Sequence, residues 1–261
     1  MLSTDSMKKL FFRFLLLECA FLVFAYIVRT AVGADYFLSD AANWGWVFGA
    51  IGTVYTLIAA FVLFGVWNQY NGLSALMARE SWLLASLWNF TDYFNDEKLS
   101  NGMRAVLLAY ISKTTEQEVA MLAQSREVET YSREYKDIGK QIDIIAFDDS
   151  RDSVVYPLMI QGYRDLLDVR QSRNEAGITR LSESMKILFV IFSILLASSI
   201  LLLGFAHLAM YLASVAFVGA IVILTYTVVI DMDNPFGGLF ELQPSAFHQA
   251  KEYIAKTEHK K

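Results

Sequence analysis

The sequence is poor in the residues that most often carry chemistry. Cys19 is the only cysteine among 261 residues, so no intrachain disulfide can form and no CxxC metal or redox motif exists. The three histidines, His207, His248 and His259, are scattered without ligand spacing. There is no HExxH, GxSxG, Walker loop or GxGxxG, which removes the common hydrolase and nucleotide signatures. Positive charge is also short, with Lys+Arg 22 against Asp+Glu 27. A net charge of −5 argues against a nucleic-acid partner, which needs a basic face. The chain reads as a non-enzyme, with no catalytic residue, metal site or cofactor.

Apolar residues are abundant instead. The chain is 55% hydrophobic with a mean hydropathy of +0.38, too apolar for an ordinary soluble domain and too charged to lie wholly in lipid. About 20 mostly apolar residues are needed to span a bilayer. Residues 10–28 qualify despite Arg13 and Glu18, and 47–67 carry no charge at all. Residues 187–230 are uncharged apart from His207 and are about twice as long as one span requires. That run predicts a helical hairpin turning near residues 204–210. Lys8 and Lys9 before the first run, with Val32-Gly33-Ala34 after it, suggest a signal peptide; the length of the run and its charges favour a retained anchor. Ser193, Ser198 and Ser199 have no basic partner in the spans and are expected to bond back to their own helix.

The reading is an all-α membrane protein with four spans. Residues 1–70 hold the first two, 71–186 form a helical domain, 187–230 hold the hairpin, and 231–261 form a tail. Lys8, Lys9, Arg13, Arg79, Arg180, Lys186, Lys251, Lys256, Lys260 and Lys261 fall on one side if four helices alternate. The other side receives only Arg29, in the loop 29–46. Both termini and the middle domain are therefore expected in the cytoplasm, with the protein multi-pass in the plasma membrane, a bacterial inner membrane.

In the middle segment, Met159, Tyr163, Leu166, Leu167 and Arg170 recur at helical spacing, as do Leu107 and Ile111. Residues 148–152 read as a turn, with Pro157 near the start of the following helix. About three to five amphipathic helices are expected there. The fourth span should stop at Asp231-Met232-Asp233-Asn234-Pro235-Phe236-Gly237-Gly238, because proline cannot continue the ladder. Ser245 is a candidate cap for a last helix over 246–257, lying on the domain or on the membrane surface.

Three features carry functional readings. Glu18 is the only acid inside a span, which makes function the default hypothesis; it either ionises in a watery vestibule, pairs with a cation, or makes a satisfied polar contact between helices. Gly45, Gly49, Gly52, Thr53, Thr56, Ala59 and Ala60 form a small-residue strip in the second span. It serves either close helix packing or a pore wall, with Leu57 and Phe64 as apolar constrictions. Arg170 and Arg173 share a helix face and either add positive potential to a cytoplasmic vestibule or pair at the surface with Asp165 and Asp168. The domain over 71–186 is otherwise acidic, with 14 basic and 18 acidic residues.

Two motifs add a resemblance. Trp67-Asn68-Gln69-Tyr70 resembles the segment that ends the pore-lining helix of bestrophin anion channels. Asn234-Pro235-Phe236-Gly237 resembles the bestrophin sequence after the fourth span, and the order of spans and domain is the same. The pattern around Arg79-Glu80, the run from Leu167 to Arg173 and the Asp-x-Pro-Phe-x-Gly ending are similar to bacterial bestrophin-like proteins. The resemblance covers about residues 45–250. It implies a homo-oligomer, a pentamer in known bestrophins, embedded in the lipid bilayer and passing small inorganic anions such as chloride through a central pore. Counting back from Trp67 without gaps, the family's hydrophobic neck falls on Gly49, Thr53, Leu57, Ala60 and Phe64, mostly smaller than the bulky neck of the family. The acidic cluster that helps hold calcium in bestrophins is replaced by Gly238-Leu239-Phe240-Glu241-Leu242. Calcium takes six to eight oxygens, so the clasp reads as incomplete even with Asp231 and Asp233. A non-conducting scaffold that docks partners on its cytoplasmic helices is the alternative reading.

Overall fold

The computed structural model describes residues 4–33, 41–94, 96–146 and 152–256. Among the described residues there are helices, turns and bends but no strand. Among the described residues, four stretches are long and apolar enough to cross a membrane: Phe11–Val32, Ala42–Phe94, Asp152–Leu201 and Leu208–Met232. The chain divides into two compact units.

The first unit comprises residues 1–68, 180–233 and 238–240. It holds α1 (Thr4–Val32), the first part of α2 (Ala41–Thr91), α7 (Glu183–Leu201) and α8 (Leu208–Met232). The predicted hairpin turn lies between Leu201 and Leu208, with exposed His207 at the helix start. Arg29 is not in a loop but in the last turn of α1, and it is buried. Its Nη2 donates to the Phe205 carbonyl at 2.6 Å, and its guanidinium lies 4.7 Å from the Tyr211 ring centroid. The Tyr211 hydroxyl donates to the Ala25 carbonyl at 3.3 Å. These contacts fasten the end of α1 to the hairpin around Ala25, Ile200, Tyr211 and Val215. Ser193 and Ser199 donate to the carbonyls of Phe189 and Leu196 on their own helix, as expected. Of the predicted loop after α1, residues 34–40 lie outside the described residues.

The second unit comprises residues 69–179, 234–237 and 241–261. After α2 come a 3-10 turn (Asp92–Phe94), α3 (Glu97–Lys113), a π-helical turn (Thr114–Glu118), α4 (Val119–Ala123), α5 (Arg133–Asp143), α6 (Asp152–Ile178) and α9 (Ser245–Lys256). Local capping sets their starts. Asp96 accepts from the amides of Lys98 and Leu99 at 2.8 and 3.2 Å, and Ser132 accepts from Tyr135 N at 3.4 Å. The predicted apolar stripes are buried: Leu107 and Ile111 of α3 meet Met159 and Leu166 of α6 in one core. Burying each such side chain is worth about 1.5–3 kcal/mol.

Three helix boundaries, at Thr91, Asp152 and Ser245, differ from the sequence reading. α2 does not stop at residue 67 but runs unbroken to Thr91, because no proline interrupts it and Leu73, Leu84 and Leu87 keep helical periodicity. Pro157 lies in the second turn of α6, near its start as expected, but Asp152 is the first residue of that helix and not part of the preceding turn; the rest of the predicted 148–152 turn lies outside the described residues. α9 begins at Ser245, with His248 N bonding the Pro244 carbonyl at 3.2 Å. Its buried face (Phe247, Ala250, Ile254) joins the core, so this helix belongs to the domain and not to a membrane surface.

Candidate functional site

The uncharged part of α2 has two faces. Tyr55, Ala59, Val62 and Val66, at helical spacing, are buried in the first unit. Tyr55 stacks on Phe189 of α7, and Phe189 stacks in turn on Tyr226 of α8, with ring centroids 6.1 and 6.2 Å apart. The opposite face carries Gly49, Thr53, Leu57, Ala60 and Phe64, all exposed. At about 100° per residue they fall within an arc of roughly 80°. Leu57 is 57% and Phe64 is 64% exposed.

The glycines decide between the two readings of the small-residue strip as far as this chain is concerned. A Cβ placed on Gly45 or Gly49 would meet nothing within 4 Å, and one on Gly52 would meet only Leu196 at 3.8 Å. These glycines therefore do not serve close packing against any of the described residues. Thr53 and Thr56 satisfy their hydroxyls by donating to the carbonyls of Gly49 and Gly52 at 2.9 and 2.8 Å. The exposed face thus offers small and apolar groups, with its hydroxyls turned back to the helix.

The two motif segments differ in what they do locally. Trp67 and Asn68 are exposed, while Gln69 and Tyr70 are half-buried. In the second unit, Asn234 Nδ2 donates to the Ala123 carbonyl at 3.0 Å and Pro235 O accepts from Leu242 N at 2.7 Å. Phe236 is buried beside Gly177, and Gly237 N closes a turn onto the Asn234 carbonyl at 2.9 Å. In the first unit, the Asp231 carboxylate accepts from the amides of Leu239 and Phe240 at 2.7–2.9 Å. Asp233 accepts from Leu181 N at 2.5 Å and pairs with Lys186 at 3.0 Å.

Arg170 and Arg173 do not face a vestibule, and they do not pair with Asp165 or Asp168. Both are 0% exposed. Arg170 grips Glu118 through Nη2–Oε1 at 2.6 Å and Nη1–Oε2 at 3.0 Å. Arg173 joins the second oxygen of Glu118 at 2.8 Å and Glu80 at 2.6 Å. Tyr110 donates to Glu80 at 2.5 Å and accepts from Arg170 at 3.0 Å. Two guanidiniums thus meet two carboxylates, and the charges balance. Burial would push the Glu118 carboxyl up, but the charges and hydrogen bonds of Arg173 and Arg170 outweigh it and hold it below its ordinary range. Burial, reinforced by the charge of Glu80, holds the Tyr110 hydroxyl well above its ordinary value. The π turn is the device that aims Glu118 inward, since it alters the helical phase at that point. Sequence reasoning found the arginines but missed Glu118 and Tyr110, whose partners are 30–60 residues away in the chain.

Glu18 is buried in the first unit, but neither carboxyl oxygen has a hydrogen-bond partner among the described residues. The reading of a satisfied contact between helices therefore fails.

These features define a multi-pass helical membrane protein with a second, helical unit whose core is tied by a neutral ionic cluster. The chain belongs to the bestrophin-like family: the model of the Bestrophin-like domain matches residues 15–247. Its fold is similar to crystal structures of a bacterial bestrophin homolog from Klebsiella pneumoniae. The structure phased by Zn-SAD has a TM-score of 0.72 at 11% identity, covering 92% of this chain and 96% of the other. One point mutant of that homolog, an isoleucine-to-threonine variant, gives 0.74 at 11% identity, covering 95% and 100%. A second, a leucine-to-threonine variant, gives 0.72 at 12% identity, covering 94% and 97%. No curated protein matches the chain.

Proposed function

We propose that the chain is one subunit of an oligomeric ion channel, conducting small anions such as chloride through a central pore lined by α2. One observation supports this reading: the uncharged face Gly49, Thr53, Leu57, Ala60 and Phe64 is exposed, with no partner among the described residues. A single four-span unit has too little interior for an aqueous pore, so the wall is shared among copies in a closed ring. Family membership supports that assembly, with five subunits as in known bestrophins. Both termini and the second unit lie in the cytoplasm of a cell whose plasma membrane holds the protein. Conduction is diffusion past apolar constrictions at Leu57 and Phe64, which gate by dewetting. Calcium does not gate through the tail, because Asp231 and Asp233 already serve backbone amides and Lys186.

The test is chloride flux from liposomes carrying the wild type, Leu57→Ala or Phe64→Ala. Smaller side chains ease wetting, and a barrier lowered by about 1.4 kcal/mol reads as roughly a tenfold rise in flux. Background-level flux in all three would refute the channel and leave the docking scaffold.

A further inference from the structure

Glu18 sits on α1 where α1 packs against α8. It is 8% exposed, and both carboxyl oxygens are shielded without a partner among the described residues. Gly219 of α8 is what admits it: a Cβ there would lie 2.9 and 3.0 Å from the two oxygens and 2.8 Å from Phe21. Beside this point is a cavity of about 220 Å³ lined by Leu17, Phe21, Ala197, Gly219, Val222 and Ile223, all apolar or glycine.

Among the described residues no counter-charge reaches the carboxyl. Between Leu208 and Ile230, α8 carries only Tyr211 and Tyr226 as ionisable groups. Tyr211 is engaged with Arg29 and Ala25, and Tyr226 lies against Phe189. From Ile187 to Leu201, α7 carries none. On α1 itself, Lys8, Arg13, Cys19 and Tyr26 are exposed, and Arg29 points to the hairpin turn. An ionised carboxylate here would have neither water nor a cation, and an unpaired buried group of this kind neutralises instead.

We propose that Glu18 is an intramembrane proton-binding site: packed against Gly219 the carboxyl holds a proton, and release of that proton to water loosens the α1–α8 contact. The inference rests on the membrane fold and does not depend on conduction.

The test uses the purified full chain in phospholipid vesicles with dicyclohexylcarbodiimide, an apolar reagent that reacts with protonated carboxyls. The acid proton moves to a carbodiimide nitrogen while the carboxyl oxygen bonds the central carbon. The acyl group then shifts to nitrogen as a stable N-acylurea, which peptide mass spectrometry locates. Labelling at Glu18 is expected at acid and neutral pH, falling about tenfold per pH unit on the alkaline side of its titration. A carboxylic-acid C=O band in the infrared spectrum should vanish over the same pH range. Glu18→Gln, a neutral isostere that keeps the packing, should lose both signals. Gly219→Ala should displace the carboxyl toward water and move the labelling profile to lower pH. Labelling that is absent at every pH or flat with pH, or an acid band that survives in Glu18→Gln, would overturn the proposal.

Discussion

Replacing Glu118 by glutamine removes one of two negative charges that balance Arg170 and Arg173. In the wild type its oxygens receive three guanidinium hydrogen bonds, at 2.6, 2.8 and 3.0 Å. Glutamine keeps the shape but leaves two buried guanidiniums facing the single carboxylate of Glu80, and it turns an NH₂ donor toward one of them. Breaking a buried pair on one side costs about 3–5 kcal/mol. For a unit of this size that is a fall of roughly 10–20 °C in Tm. The assay is thermal unfolding of the full chain, with amide exchange of α3 and α6 to locate the loss. Acid gives an independent arm. The folded carboxyl of Glu118 lies below the ordinary glutamate value of 4.5, so on acidification the unfolded chain takes up its proton first. The stabilisation is therefore present above that value and is lost as pH falls through the lower folded one. Glu118→Gln should be weaker at neutral pH and should lack this share of the acid slope. A loss under about 1 kcal/mol, or an unchanged acid slope, would refute the account of a charge-balanced core.

Gly177→Ala places a methyl 3.0 Å from Leu122 and 3.2 Å from Phe236; overpacking should cost about 1–3 kcal/mol in thermal unfolding. An unchanged Tm would show that the Asn-Pro-Phe-Gly segment is not seated on α6 as described. Asp231→Asn removes a charged acceptor from the amides of Leu239 and Phe240. Hydrogen bonds to charged groups contribute about 1.5–3 kcal/mol, so exchange of those two amides should rise by at least about tenfold. Unchanged exchange would show that the carboxylate does not hold this turn.

Hydropathy alone located the four spans, because twenty-residue apolar runs have few other uses. The stripes at Leu107 and Ile111 and at Met159 and Leu166 were legible for a related reason, since burial follows helical period. What stayed hidden depends on pairing at long sequence separation. Arg170 and Arg173 read as solvated charges because nothing local distinguishes a buried arginine; Glu118, 52 residues earlier than Arg170, is the partner that permits it. The π turn that aims Glu118 has no sequence signature, and neither does the absence of a donor near Glu18. The continuation of α2 to Thr91 was missed for the opposite reason. The motif at Trp67 to Tyr70 marks the end of the apolar run, but polarity alone does not end a helix without proline or a cap.

Burying both arginines changes where ion preference would arise in the proposed channel. They are neutralised by Glu118 and Glu80, so they add little field outside the second unit. The segment 71–186 keeps its excess of acids, 18 against 14 basic residues, which by itself would repel anions. The candidate wall on α2 has no charge to counter this, and Thr53 and Thr56 donate their hydroxyl protons to their own helix. An uncharged apolar wall sorts ions by the cost of stripping their water, and large, weakly hydrated ions lose least. The basis of selectivity in the proposed channel therefore shifts from a positive vestibule to dehydration at Leu57 and Phe64, the two residues on which the flux test already turns.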